Sequence, residues 1–146
     1  MAPIRILIVD DFQSWRQLVS TMLEDRPEFQ VIGHASDGLE AVSKSEELQP
    51  GLILLDIGLP KLNGIEAARR ICTIAPRCRI LFVSENQCPA VAQQALSVGA
   101  CTRGYVVKSY AAQELLPALE AVMQDKHFVS SRFANSVSDP GSLGDT

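Results

Sequence analysis

The chain has 146 residues, of which 47% are hydrophobic and 5% aromatic, and a formal net charge of −4. This length suits one domain with an aliphatic core that needs no metal or disulfide to hold it together. The negative charge and the lack of any Lys/Arg run argue against direct nucleic-acid binding, and no apolar stretch is long enough to span a membrane. We therefore expect a soluble, cytoplasmic protein.

Short apolar runs alternate with longer amphipathic segments along the chain. Runs rich in Ile, Leu and Val predict buried strands at residues 4–9, 29–34, 52–55, 79–83 and 105–107. Helical spacing of the apolar residues between them predicts five helices, at residues 12–24, 38–49, 65–75, 89–98 and 111–125. Strands and helices that alternate in this way predict an α/β fold, with a parallel sheet covered by helices on both faces.

The end of the chain differs in composition from the rest. From about Ser130 onward it is rich in Ser, Asn, Asp, Pro and Gly without periodicity. We expect one folded domain over residues 1–128 and a loose polar tail over residues 129–146.

The four cysteines show no CxxC spacing, and no histidine is positioned to complete a zinc site. They are Cys72, Cys78, Cys88 and Cys101. We expect small buried thiols in a reducing cytosol.

Polar side chains follow four of the predicted strands. The first strand ends in Asp10 and Asp11, the third in Asp56, the fourth in Ser84, and the fifth continues into Lys108. In open parallel sheets the ligand site lies beyond the carboxyl ends of the strands, so these residues should meet at one edge.

Each of these residues also has an ordinary structural interpretation. Asp11 can cap the helix that follows it, Asp56 can be a solvated loop acid, Ser84 a turn former and Lys108 a surface lysine. The combination is more informative, because three crowded carboxylates repel one another unless a cation or a proton intervenes. Oxygen ligands alone favour Mg²⁺ or a similar hard ion. An aspartate beside such an ion can attack phosphorus, and Lys108 and Ser84 can bind the oxygens of the transferred group.

At this point the chain resembles the receiver domains of two-component response regulators. The matching segments are ILIVDD at residues 6–11, DGLEA at 37–41, LLDIGLPKLNG at 54–64, VS at 83–84 and GYVVK at 104–108. They occur in the right order and the resemblance covers about the first 125 residues. It implies a flavodoxin-like, doubly wound five-stranded sheet of order 2-1-3-4-5, with residues 1–128 as the receiver domain.

The resemblance also implies roles for the residues at the metal site. Asp56 corresponds to the phosphoryl acceptor, Asp11 to a direct Mg²⁺ ligand and Asp10 to a largely water-bridged one. The backbone carbonyl of Gly58 corresponds to a further protein ligand. No organic cofactor is implied.

Three further residues correspond to the switch of the family. Ser84 and Lys108 match the residues that sense the phosphoryl group. Tyr105 matches the aromatic residue that swings inward when the hydroxyl moves, although a strand-end aromatic packed on the neighbouring helix would look the same in sequence. Gly58 and Asn86 occupy positions that influence how fast the acyl phosphate is hydrolysed.

Two features point to one branch of the family. Ser109 stands where many receivers have proline, and together with KHFVSS at residues 126–131 it resembles receivers of NarL/LuxR-type regulators.

Residues 101–103 lengthen the connection before the fifth strand. Residues 129–146 then correspond either to a flexible tail or to a truncated linker.

The expected function is that of a phosphorelay receiver, not of an enzyme acting on metabolites. The expected partners are a sensor histidine kinase and either a downstream effector protein or a second copy of the chain, with no nucleic acid and no membrane. A pseudo-receiver that only binds proteins, and the severed receiver half of a LuxR-type transcription factor, remain open.

Two other α/β classes fit the residues less well. A haloacid dehalogenase-type phosphatase needs a second acid two residues after its nucleophile, where this chain has Gly58. A flavodoxin needs a Ser/Thr/Gly phosphate cradle after the first strand, where Asp10 and Asp11 would repel phosphate.

Overall fold

The computed structural model describes residues 2–134, which form one six-stranded sheet with helices on both faces. The strands are β1 (Ile4–Val9), β2 (Phe29–Ala35), β3 (Leu52–Leu55), β4 (Arg79–Ser84), β5 (Thr102–Val107) and β6 (Phe128–Val129). The helices are α1 (Gln13–Glu24), α2 (Gly38–Leu48), α3 (Gly64–Ile74), α4 (Pro89–Leu96) and α5 (Ala111–Met123). Short 3-10 helices cover Lys108–Tyr110 and Ser131–Phe133. Among these described residues, no helix has both the length and the apolar character needed to cross a bilayer.

The strand order is β2-β1-β3-β4-β5-β6, and every neighbouring pair is parallel. Two apolar clusters form the core, one on each face of the sheet. Helices α2, α3 and α4 contribute to the first, and α1 and α5 to the second. The predicted doubly wound sheet of order 2-1-3-4-5 is therefore confirmed for the first five strands. Since β1 lies between β2 and β3, the chain crosses over to opposite sides of β1, which creates a crevice at the carboxyl ends of β1 and β3.

Local sequence explains why two of the helices begin where they do. The Asp37 side chain accepts a hydrogen bond from the Glu40 amide at 2.8 Å, while the Glu40 carboxylate accepts one from the Ser36 amide at 2.7 Å. The Asn63 side chain accepts from the Glu66 amide at 3.0 Å and caps α3 in the same manner. These caps satisfy amides that a helix leaves unpaired in its first turn. They start α2 and α3 beside the loop that follows β3.

The prediction that the chain becomes a loose tail at residue 129 is wrong for residues 129–134. Strand β6 pairs with β5, and Phe133 is 1% exposed. The polar residues that suggested a tail are instead hydrogen-bonded, because Ser130 and Ser131 both donate to the Glu114 carboxylate. The sheet consequently has six strands and not five. Residues 135–146, the rest of the predicted tail, lie outside the described residues.

The connection before β5 also differs from the expectation. Thr102 and Arg103 belong to the strand, which was predicted to begin at Tyr105. Ile80 pairs with Thr102 and Leu81 with Gly104, so Arg103 forms a bulge in β5. A β-bulge accommodates an extra residue without lengthening a loop.

The cysteines are not all thiols. Cys72 in α3 and Cys101 just before β5 form a disulfide, with their Cα atoms 5.8 Å apart. The expectation of four thiols is wrong for this pair, because tertiary packing brings together two residues whose spacing in sequence carries no signal. Cys78 is a buried thiol, as expected, but Cys88 is an exposed thiol, so the expectation of burial is wrong for Cys88.

Candidate functional site

The carboxyl ends of β1, β3 and β5 bring two acids and a lysine into contact at one edge of the sheet. Asp10 follows β1, Asp56 follows β3 and Lys108 follows β5, and their exposed fractions are 1%, 7% and 9%. The Lys108 ammonium lies 2.6 Å from Oδ2 of Asp10 and 3.3 Å from Oδ2 of Asp56. Lys108 is therefore not a surface lysine and Asp56 is not a solvated loop acid.

Asp11 completes a group of three carboxylates. One ligand oxygen from each of Asp10, Asp11 and Asp56 lies within 4.8 Å of the others. Helix α1 has Phe12 as its N-cap residue and no side-chain cap, so the helix-capping interpretation of Asp11 is not what the structure shows. Instead, Asp10 Oδ1 accepts a hydrogen bond from the Phe12 amide, at 2.9 Å. The exposed Asp11 carboxylate is thus left open to a ligand.

Backbone contacts hold the two buried acids in place. The Arg16 guanidinium donates to the backbone carbonyl of Asp10 at 2.6 Å. The Ile57 amide donates to Oδ1 of Asp56 at 2.7 Å, and the Ile57 carbonyl accepts from the Gly64 amide at 2.7 Å. The Asp56 carboxylate is consequently oriented by the loop between β3 and α3.

The electrostatics of the group reflect burial and mutual charge. Burial raises the pKa of Asp10, and the hydrogen bond and charge of Lys108 only partly oppose this. Burial alone would lower the pKa of Lys108, but its hydrogen bond to Asp10 and the charges of Asp56 and Asp10 outweigh it, so the pKa of Lys108 is raised. Lys108 therefore stays positively charged at neutral pH. Its single charge cannot balance three carboxylates.

The three carboxylates fit a divalent cation. Oxygen is the donor that Mg²⁺ prefers, and one ammonium among three carboxylates leaves an excess of two negative charges. Asp10, Asp11 and Asp56 would hold the ion. Gly58 is exposed and lies two residues after Asp56, and the role of its carbonyl as a further ligand stays a prediction.

Two aromatic residues at the start of α1, its N-cap residue Phe12 and Trp15 in its first turn, flank Lys108, and the sequence did not predict this. The ammonium lies 5.7 Å from the ring centroid of Phe12 and 5.2 Å from that of Trp15. Contacts of this kind attract a cation to the ring face. Phe12 and Trp15 also line an open cavity of about 690 Å³ beside the lysine, together with Leu18 and Val107. The position of Phe12 directly after the two acids was the available sequence signal.

Trp15 is the only tryptophan of the chain, so its fluorescence should report metal binding. We expect a saturable change in emission on adding Mg²⁺, because a cation at Asp10 and Asp56 weakens their hold on Lys108. Asp11→Asn should bind Mg²⁺ about tenfold more weakly or worse, since it removes one charge from the ligand group. The control is Asp25→Asn, at the exposed C-terminal end of α1, which should match the wild type. Equal Mg²⁺ affinity in the Asp11 and Asp25 variants would argue against this site.

Ser84 and Tyr105 lie next to this group but form a separate set of contacts. Ser84, at the end of β4, accepts a hydrogen bond from the Asn86 amide at 3.1 Å. The Tyr105 hydroxyl donates to the Asn86 carbonyl at 2.8 Å, and its ring is fully buried. Ser84 pairs in register with Val107, which places it one position from Lys108. The roles predicted for Ser84 and Tyr105 stay predictions.

The burial of Tyr105 has a consequence at alkaline pH. Burial raises the pKa of Tyr105 from 10.0 to about 12, with a hydrogen bond to Ser84 opposing the shift. The unfolded chain ionises Tyr105 first, so stability is lost as pH rises from 10 toward 12. We expect the free energy of unfolding of Tyr105→Phe to rise by about 2 kcal/mol relative to that of the wild type over this pH interval. Urea unfolding of the wild type and of Tyr105→Phe at the two ends of this pH interval measures the change. A difference in unfolding free energy between the two proteins that stays the same at both ends would contradict the prediction.

Comparisons with known proteins agree with this geometry. The family model of the response regulator receiver domain matches residues 6–120. The chain is 33% identical over 134 residues to the transcriptional regulatory protein DegU of Brevibacillus brevis. The matched region covers 92% of this chain and 56% of DegU. It is 34% identical over 120 residues to the chemotaxis protein CheY of Listeria monocytogenes, and this match covers 80% of the chain and 96% of CheY. The chain thus spans little more than half of the first relative and nearly all of the second.

Solved structures give the same result. A LuxR-family two-component response regulator from Aurantimonas sp. SI85-9A1 superposes with a TM-score of 0.86 at 33% identity, covering 92% of this chain and 95% of that one. The response regulator domain of Thermotoga maritima CheB superposes with a TM-score of 0.76, also at 33% identity, covering 84% of this chain and 97% of that one. The chain therefore belongs to the receiver domain family of two-component response regulators, and its relatives support the NarL/LuxR type.

Proposed function

We propose that this chain accepts a phosphoryl group on Asp56 with the help of Mg²⁺, and that this modification switches a protein-binding surface. The observation that carries the proposal is the arrangement around Asp56. Its carboxylate is 7% exposed, shares a site with two further carboxylates and lies 3.3 Å from the Lys108 ammonium. Buried acids that share a site with other charged groups are typical of functional sites.

The proposed reaction is a transfer between acceptors. A carboxylate oxygen of Asp56 forms a bond to phosphorus, the bond between phosphorus and the donor breaks, and the donor leaves with that electron pair. Lys108 pairs with an oxygen of the incoming group, and Asp10 and Asp11 hold the metal. Bound Mg²⁺ supplies neutralisation of the charge on the transferring group. The chain turns over no other substrate, and slow hydrolysis of its own acyl phosphate returns it to the starting state.

The donor in this proposal is the phosphohistidine of a sensor histidine kinase, and the protein works in the cytoplasm. The receiver then acts on an effector protein or on a second copy of itself. The relatives differ in how much of their length the chain matches, which is 56% for DegU and 96% for CheY. The proposed target is therefore either an effector protein or a second copy of the chain.

The switch begins with two groups near Asp56. A doubly negative group on Asp56 attracts the Ser84 hydroxyl and the Lys108 ammonium toward it. Ser84 is hydrogen-bonded to Asn86, which in turn accepts from Tyr105. A movement of Ser84 therefore changes the face built from α4, β5 and α5.

Acetyl phosphate labelled in its phosphoryl group tests this function. Incubation with Mg²⁺ should give a labelled protein whose label is lost in hydroxylamine, as expected for an acyl phosphate, and chelation of Mg²⁺ should prevent labelling. A hydroxylamine-stable label would point to a hydroxyl acceptor and overturn the proposal. No label under any condition would favour a pseudo-receiver that only binds proteins.

A further inference from the structure

The segment after α5 lies against the same face that carries Tyr105. Residues 128–133, here called the C-terminal segment, comprise β6 and the 3-10 helix that follows it. Phe128 and Val129 extend the sheet beside β5, and the Ser130 amide donates to the Tyr105 carbonyl at 2.8 Å. Gly104 permits this close approach, because a Cβ there would lie 2.6 Å from the Phe128 carbonyl oxygen. The segment is thus part of the sheet edge next to the switch residues.

Phe133 connects this segment to Ser84 through Tyr105. The Phe133 ring is 1% exposed and packs edge-on against the Tyr105 ring, with centroids 5.5 Å apart. The hydroxyl end of that tyrosine holds the Asn86 carbonyl, and the Asn86 amide holds the Ser84 hydroxyl. A continuous series of contacts therefore runs from Phe133 to the hydroxyl expected to bind the phosphoryl group.

A second contact joins the segment to the same loop. The Arg132 guanidinium donates from Nε to the Gln87 side-chain oxygen at 2.8 Å. Gln87 follows Asn86 in the connection between β4 and α4. The C-terminal segment therefore reaches this loop in two ways, directly through the Arg132 guanidinium and indirectly through Tyr105, on which Phe133 packs.

The other side of the segment is fixed to α5. The Ser130 hydroxyl donates to Glu114 Oε1 at 2.6 Å, and the Ser131 hydroxyl and amide donate to Oε2 at 2.7 and 3.0 Å. Hydrogen bonds to a charged acceptor are the stronger kind. Glu114 thus fixes the segment to α5. None of these hydrogen bonds joins α5 to Asn86 or Gln87. The segment bridges α5 and the loop after β4.

We infer that Phe133 and Arg132 are positioning residues for the phosphoryl-binding loop, acting through Tyr105 and Gln87. They hold residues 84–87 in the arrangement that presents the Ser84 hydroxyl to the group on Asp56. The coupling is reciprocal by thermodynamic linkage, so a ligand that engages Ser84 also tightens the C-terminal segment. This inference rests on the proposed function and makes the C-terminal segment a part of the chain that responds to a phosphoryl group on Asp56.

Beryllofluoride, a phosphoryl analogue, tests the inference with Mg²⁺ and the full chain. We expect Phe133→Ala to bind beryllofluoride about two- to tenfold more weakly than the wild type, the range that an aromatic pair contributes. Mg²⁺ affinity read from Trp15 should not change, because Phe133 contacts none of the three carboxylates. In the wild type, beryllofluoride should slow hydrogen exchange at the Phe133 amide, which donates to the Ser130 carbonyl.

The matched control is Phe128→Ala, which truncates the same residue type in the same segment. Phe128 packs on the core cluster of the opposite sheet face, so its loss should leave beryllofluoride affinity unchanged. Because Phe133→Ala opens a cavity and could unfold the chain, Arg132→Ala and Gln87→Ala provide a second test on exposed side chains. The double variant should be no weaker than either single variant if the two act as a pair.

The outcomes separate the inference from the proposed function. A wild type that binds no beryllofluoride overturns both. A wild type that binds, with Phe133→Ala and Arg132→Ala binding equally well, overturns the inference alone. Equal weakening by Phe128→Ala and Phe133→Ala would also overturn it, because the effect would then follow general destabilisation and not the contacts to the loop.

Discussion

Replacing Lys108 by alanine is expected to lower the free energy of unfolding by about 3 kcal/mol in metal-free buffer. The ammonium is the partner of Asp10 at 2.6 Å and of Asp56 at 3.3 Å, and the side chains of all three are less than a tenth exposed. Its removal leaves two buried carboxylates next to each other with no opposite charge between them. Urea unfolding in the presence of a chelator measures the loss.

Magnesium should restore more stability to this variant than to the wild type. Both Lys108 and Mg²⁺ neutralise the same carboxylates, so the metal should raise the free energy of unfolding more where the lysine is missing. The matched control is Lys61→Ala, because Lys61 pairs with Asp37 at 3.5 Å but is 65% exposed. That surface pair should contribute less than about 1 kcal/mol. Equal losses for Lys61→Ala and Lys108→Ala would refute the burial argument.

Gly64→Ala is expected to destabilise the chain by about 3 kcal/mol or more and to displace Asp56. A Cβ at residue 64 would overlap the carbonyl oxygen of Asp56 and approach Cα of Ile57 at 2.7 Å, and these are backbone atoms that cannot rotate away. The start of α3 would have to move away from the loop that orients the acceptor. Unfolding free energy and Mg²⁺ affinity should therefore fall together.

The control is the same substitution at Gly58, six residues earlier, in the loop that precedes α3. A Cβ at Gly58 would meet no atom within 4 Å, and no glycine of the described residues has a positive φ. Gly58→Ala keeps the backbone carbonyl that is predicted to bind the metal, so stability and Mg²⁺ affinity should stay close to the wild type. If Gly58→Ala and Gly64→Ala behaved alike, the close packing of α3 on Asp56 would not be what matters.

Most of the fold followed from apolar periodicity because this sheet is buried on both faces. The predicted strand at residues 52–55 matches β3, in which every residue is buried, and the first strand matches β1. Strand β6 was missed because two residues are too few to show a period. The segment after it is polar in composition, yet the Glu114 carboxylate satisfies its serines.

The acidic part of the site could be predicted because the carboxyl ends of parallel strands share one edge. That rule placed Asp10, Asp56 and Lys108 together, and the structure confirms their proximity. The contacts of Phe12 and Trp15 with Lys108 were not predicted, since they depend on how α1 packs against the end of β5. The approach of Phe133 to Tyr105 likewise depends on tertiary packing between two residues that are 28 positions apart in the sequence.

The central claim is that Asp56 itself carries the phosphoryl group. Borohydride reduces an aspartyl phosphate to homoserine, so treating the acetyl phosphate-labelled protein and sequencing its peptides by mass spectrometry locates the acceptor. We predict homoserine at position 56, dependent on Mg²⁺, in both the wild type and Asp25→Asn, and no label in Asp56→Asn. Homoserine at another aspartate, or equal labelling of Asp56→Asn, would contradict the claim.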